Sequence, residues 1–428
     1  MSINRKKLGA LLCVAAVGIA VASTAGAAQQ GSPGITKTSI KIGGTFPLTG
    51  GASLYATIAY AEEAYYAYVN AHGGVNGRKI TDIVRDDQYD PSKTLPLVKQ
   101  LVEQNKVFAV VGSLGTAPGL ATWGYLNTHQ VPQVLLATGD AYWGTCTQKV
   151  GFKPKPYCKT PKPWTMGWQP DYPSEARLYA KQILKTENNP KIGVLYQNDA
   201  YGQNYLAGFL QGLGSHTGDV VDKEKYNFGD SAQVVGAHVG ALEAHGANTV
   251  VIFATPTASI QALATMGGVL HWSPTTYLNN VSANRLFVLD AEQNGATPNG
   301  IISSSYIGSQ TATPSTPGMK LAKKIIDGTH NSTLIGDFNN GDNNIVYGLA
   351  VAYTFVDALK HAGTTPTRAS FMAAIRNLHE YKNPFVYPGI GVQTSKTRTF
   401  PMQQLILEKW KGTAHDWRTF GSVIGTGF

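Results

Sequence analysis

The chain reads as an α/β protein of two lobes, each a doubly wound parallel β-sheet with helices on both faces. Three observations predict this. Strand-like apolar runs alternate with helical stretches at regular intervals. The alternation pauses in a loop holding Cys146 and Cys158, then restarts with the same grammar. The 428 residues, 43% of them hydrophobic, exceed what one ordinary core holds and suit two.

Residues 39–46 alternate as a buried strand and run into a Pro/Gly loop at 47–52. Behind it "SLYATIAYAEEAYYAYVNAHGG" is apolar at helical spacing and stops at Gly73-Gly74. A strand, "KITDIVRDD", precedes a helix over 92–105 that starts through Asp90-Pro91. A strand at 108–111, a helix behind Pro118 and a strand at 133–137 finish the first series. The second series places helices at 173–185, 202–213, 231–244 and 259–266, with strands at 191–196, 222–226, 249–253 and about 276–278 between and after them. Past "GIISSSYI" come a Thr/Pro-rich stretch, a polar run "GDFNNGDNN" and a long helix over 345–362. The late "TFPMQQLILEKW" alternates like a strand, so the chain crosses between lobes more than once.

At the amino end Arg5-Lys6-Lys7, an apolar stretch at 8–22 and small residues up to Ala27-Ala28 have the layout of a cleavable export signal over 1–28. The apolar run is too short and too rich in Ala and Gly for a membrane anchor. Removing its three positive charges takes the formal net charge from +9 to +6. That excess is spread thinly and forms no basic block, which argues against nucleic acid. In an oxidising space Cys146 and Cys158 are expected to pair, closing a short loop for a gain of about 3 kcal/mol. The histidines are scattered and none stands at ligand spacing from either sulfur, so no metal is expected.

In open parallel sheets, ligands bind at the carboxyl ends of strands, where helix N-termini point. The loops 47–55, 112–118, 137–143, 197–202 and 254–257 are of that kind. None of them has the lysine of a phosphate loop, the glycine spacing of a dinucleotide fingerprint or a Gly-x-Ser-x-Gly elbow. The acids Asp86, Asp87 and Asp90 read as a strand end and helix cap, and His129 and His245 as helix-end residues. No nucleophile, base and orienter assemble, so the expectation is a binding module without a cofactor, not an enzyme.

The segments "IKIGGTFPLTGGASLY", "NAHGGVNGRKI", "RDDQYDPSKT", "VVGSLGT", "VPQVLLATGD", "WTMGWQPDY", "IGVLYQNDAYGQNYLAGF" and "NNIVYGLAVA" stand in the order seen in the substrate-binding proteins of branched-chain amino acid ABC transporters. From residue 39 onward the chain resembles this leucine/isoleucine/valine-binding family. The resemblance implies a type I periplasmic-binding-protein fold whose lobes, 39–166 plus 304–388 and 167–303 plus 389–428, are joined by three crossovers. It implies a monomer in the secreted or periplasmic space that hands a small carboxylate or amino acid to an ABC permease. A ligand-sensing subunit feeding a receptor is the rival reading.

By the same resemblance, backbone N–H groups over Ser113, Leu114 and Gly115 and the Thr116 hydroxyl receive the ligand's carboxylate. Thr138, Gly139 and Asp140 touch its carboxylate and ammonium. Tyr55, Tyr201 and Tyr347 supply aromatic contacts, and Thr255 lies on the other lobe's wall. Where the family carries an acid for the ammonium, this chain has Asn279 and Asn280. A buried ammonium without a counter-charge is costly. Two readings stay open: the ligand has no ammonium, or Asp140 supplies the charge from the opposite lobe.

Overall fold

A computed structural model describes residues 32–145, 162–378, 383–395 and 400–425. The export signal and both cysteines of the expected disulfide lie outside the described residues.

The first sheet holds β1 (Ser39–Phe46), β2 (Lys79–Asp86), β3 (Val110–Val111), β4 (Gln133–Leu136) and β5 (Thr165–Gly167), in the order β2-β1-β3-β4-β5. All its pairs are parallel. Parallel neighbours need a crossover, and α1 (Ala56–Ala71), α2 (Pro91–Glu103), α3 (Thr116–Thr128) and the short α4 (Tyr142–Thr145) fall between the strands. The Asp90-Pro91 start works as expected, since the Asp90 carboxylate caps α2 by accepting the Ser92 N–H at 2.8 Å.

The second sheet holds β6 (Ile192–Gln197), β7 (Val220–Tyr226), β8 (Thr249–Phe253), β9 (Thr275–Leu278), β10 (Ile302–Ser305), β11 (Gln404–Lys411) and β12 (Asp416–Gly425). Its order is β12-β11-β10-β9-β8-β6-β7. The strands from β6 to β10 run parallel, whereas β11 is antiparallel to both β10 and β12. This is the one departure from the all-parallel expectation. A four-residue connection between β11 and β12 can close only an antiparallel hairpin. Helices α5 (Tyr172–Thr186), α6 (Ala200–Leu213), α7 (Ala232–Ala244), α8 (Pro256–Ala264) and α9 (Arg285–Gln293) accompany this sheet.

Between β10 and β11 the chain returns to the first lobe as α10 (Pro317–Asp327), α11 (Ser332–Asn339), α12 (Asn343–His361) and α13 (Arg368–Ile375). Helix α12 packs on α1 so closely that a Cβ on Gly348 would stand 2.3 Å from the Ile58 carbonyl oxygen. Crossings therefore follow β5, follow β10 and precede β11, the three that the fold requires. Under the first and second of them Trp168 is fully buried, donating to the Thr354 hydroxyl at 3.0 Å and meeting Tyr347 edge to face. Among the described residues no helix is long and apolar enough to cross a membrane.

Candidate ligand-binding cleft

The carboxyl ends of strands from both sheets converge on one cavity enclosing about 710 Å³ of atom-free space, its mouth included. From the first lobe come Tyr55 and Ile58 beyond β1, Tyr89 beyond β2, Leu114 and Gly115 beyond β3, and Ala137 beyond β4. The second lobe contributes Tyr201 beyond β6, Thr255 beyond β8 and Asn280 to Asn284 beyond β9, Ser282 apart. The floor is made by the crossings, with Gln169 and Tyr172 from the first and Ser305, Tyr306 and Ile307 from the second. Asn343, Asn344 and Tyr347 of α12 and Glu408 of β11 complete it.

Several side chains span the two lobes. The Tyr55 hydroxyl donates to the Val281 carbonyl at 3.1 Å, and the Thr257 hydroxyl to the Gly51 carbonyl at 2.9 Å. Asp342 accepts from Thr57 at 2.7 Å and from Asn284 at 2.5 Å while capping α12. The lobes are thus closed on each other.

Seven of the expected site residues meet in this cavity: Tyr55, Leu114, Gly115, Tyr201, Thr255, Asn280 and Tyr347. Gly115 holds φ +105, and a Cβ there would lie 2.5 Å from the Tyr89 ring. The positive φ turns the chain from β3 into α3 while letting Tyr89 close over the loop. The N–H groups of Leu114 and Gly115 already donate to the Thr45 and Ala137 carbonyls, at 3.0 and 3.3 Å. On the other wall the Thr255 hydroxyl is oriented by Tyr226 and Gln197, both at 3.1 Å. Tyr347 donates to Gln169 at 2.9 Å, and Tyr201 accepts from the Asn279 amide.

The other five stand behind the wall. Ser113 accepts the Thr45 N–H through its hydroxyl at 3.0 Å. The hydroxyls of Thr116 and Thr138 lie 2.6 Å apart, with Tyr172 donating to Thr138 at 3.2 Å. Gly139 carries the carbonyl that accepts the Tyr172 N–H at 2.7 Å. Asp140 is fully buried and accepts from the Asn204 amide at 3.0 Å and the Tyr142 N–H at 2.8 Å. Burial pushes its carboxyl well above the usual range. Its carboxylate ties α6 to the first lobe and does not reach the cavity.

Sequence reasoning missed Tyr89, Tyr172, Gln169, Tyr306 and two acids. Glu175 is buried beneath Asn280 and accepts from Tyr179 at 2.7 Å, Tyr205 at 2.8 Å and the Asn280 N–H at 2.6 Å. Burial pushes its carboxyl up to about 7, against the opposing pull of those bonds. Glu408 lies on the cavity wall at 5% exposure, and burial beside Asp416 and Glu175 pushes it up to about 8. Its signal was in the sequence: an acid inside the alternating apolar run "LILEKW".

The profile of the family described as periplasmic binding protein matches residues 39–313. None of the curated proteins compared matches the sequence. Among solved structures the chain is similar to a branched chain amino acid ABC transporter from Thermus thermophilus with bound valine, at TM-score 0.78 and 16% identity over 91% of this chain and 97% of that one. It is also similar to a fatty acid ABC transporter substrate-binding protein from Thermomonospora curvata, at TM-score 0.73 and 18% identity over 92% and 95%. A possible leucine/isoleucine/valine-binding protein from Rhodopirellula baltica aligns at TM-score 0.72 and 16% identity over 90% and 97%. The chain belongs to the periplasmic binding protein family and has the type I fold of the substrate-binding proteins of branched-chain amino acid ABC transporters.

Proposed function

We propose that the chain is the solute-binding component of an ABC importer, taking a small organic carboxylate between its lobes outside the cell membrane and presenting it to a permease as a monomer. One observation carries the reading: strand ends of both sheets, through Leu114 and Gly115 on one side and Tyr201 and Thr255 on the other, wall a single cavity. The lobes in this reading are 39–166 plus 304–388 and 167–303 plus 389–428. Contacts made only when they close, such as Tyr55 with Val281, favour the closed state once a ligand bridges them. Among the described residues the titratable groups of the wall are tyrosines and Glu408, with no nucleophile paired to a base, which supports holding over chemistry.

A thermal-shift screen of amino acids and of aromatic and aliphatic acids tests this. A ligand bound by the folded state alone raises the melting temperature, by RT ln(1 + [L]/Kd) in free-energy terms. At least one such acid is expected to do so in proportion to its concentration. If none shifts the transition, the carboxylate reading is wrong.

A further inference from the structure

We propose that the ligand carries a protonated nitrogen and that Glu408, from β11 at the crossing end of the cleft, is its counter-charge and specificity-determining residue. This rests on the reading of the cleft as a ligand site and names the ligand's chemistry. The acid comes from an element other than the β9 loop, where Asn279 and Asn280 stand.

Among the described residues Glu408 is the one carboxylate on the cavity wall, and no lysine, arginine or histidine shares that wall. Its side chain is buried, yet it has no hydrogen-bond or ion-pair partner among the described residues. The acids beside it are spoken for. Asp416 of β12 takes Arg418 at 2.5 Å, Thr311 at 3.0 Å and Arg285 of α9 at 3.8 Å. Glu175 of α5 takes its three donors. The nearby cations are thus used on Asp416, and Glu408 is left facing the cleft. A smaller cavity of about 360 Å³ adjoins it, sharing Ser305, Ile307, Asn343 and Glu408 as walls.

A buried carboxyl without a partner is either protonated or waits for a charge. The remaining surroundings favour a cation, because six tyrosines line the cavity and tyrosine rings attract cationic nitrogen. With its carboxyl pushed up to about 8, Glu408 holds a proton at neutral pH in the empty cleft. An arriving ammonium displaces that proton, so binding near pH 7 releases it to solvent. The other charged groups near Glu408, namely Glu175, Asp416, Arg285 and Arg418, keep their partners throughout.

The test is calorimetry of the full chain with matched pairs: leucine against 4-methylpentanoate and phenylalanine against 3-phenylpropanoate. The ammonium-bearing member is expected to bind the wild type more tightly by about 30-fold or more, and Glu408→Gln is expected to erase that ratio. Titrating in phosphate and in Tris, which differ in ionisation heat, should reveal proton release in the wild type; that measurement needs no variant. Deaminated acids binding as tightly as their partners, or an undiminished ratio in Glu408→Gln, overturns the proposal but leaves the carboxylate reading standing. Binding of neither class removes both.

Discussion

The two ends of the cleft are built on opposite principles. At the strand tips of the first lobe the expected contact residues already have neighbours: Ser113 holds the Thr45 N–H, Thr116 holds Thr138, and Asp140 holds Asn204 and Tyr142. At the crossing end, near the fully bonded Glu175, Glu408 is buried with no partner among the described residues. The difference separates framework from recognition. A polar group satisfied within the protein holds shape, whereas one left bare at the edge of a cavity has its partner still to come.

The largest expected effect would break the framework end. Gly115→Ala places a methyl 2.5 Å from the Tyr89 ring at a φ that L residues avoid. It should destabilise the fold by about 3 kcal/mol in denaturant titration and abolish binding. Asp140→Ala comes next, since it strands the Asn204 amide and the Tyr142 N–H. A loss of about 2 kcal/mol is expected by the same titration. Were Asp140 a recognition residue instead, its loss would weaken binding while leaving stability in place.

A smaller change probes closure. Tyr55→Phe removes the hydroxyl that reaches the Val281 carbonyl across the lobes. It should weaken binding about fivefold, corresponding to one hydrogen bond of about 1 kcal/mol, and raise the radius of gyration of the ligand-bound form in X-ray scattering.

A pH series sharpens the recognition end. Burial raises Glu175 to about 7 and Glu408 to about 8, from ordinary values near 4.5. Between these limits the folded chain holds protons that the unfolded chain has lost. The stability from this source is complete below about pH 4 and is lost as pH rises through the folded values. The melting temperature of the ligand-free protein should therefore fall from about pH 5 to about pH 8. In Glu408→Gln the fall should flatten at its upper end, while a slope unchanged by the substitution would mean that Glu408 is ionised throughout.

Much of the fold was legible because periodicity and stops agree. The helix over 92–105 begins at Asp90-Pro91 in sequence and α2 begins at Pro91 in space. The parallel series follows from strands spaced by helices. Strand β5 was not legible, since three fully buried residues in "WTMGW" cannot show a period. Strand β12 was hidden by its exposure: eight of its ten positions are intermediate or exposed, so no apolar face marks it. Helices α10 and α11 were masked by the Thr/Pro-rich and Gly/Asn-rich runs around them.

At the site, the loops that the strand-end rule picks out include Leu114, Gly115, Tyr201 and Thr255, which line the cavity. The contact at Asp140 was implied by the family resemblance, and a sequence does not show that Asn204, 64 positions away, donates to its carboxylate. Glu408 was overlooked for the converse reason. Its meaning depends on where β11 sits along the cleft floor, which the alternation of "LILEKW" does not specify.

The most direct measurement is a crystal structure of the full chain with the tightest ligand from the thermal-shift screen. The account predicts density for that ligand between Gly115 and Thr255, touching both lobes, with its nitrogen against the Glu408 carboxylate. Density in another cavity, or against one lobe alone, would contradict it.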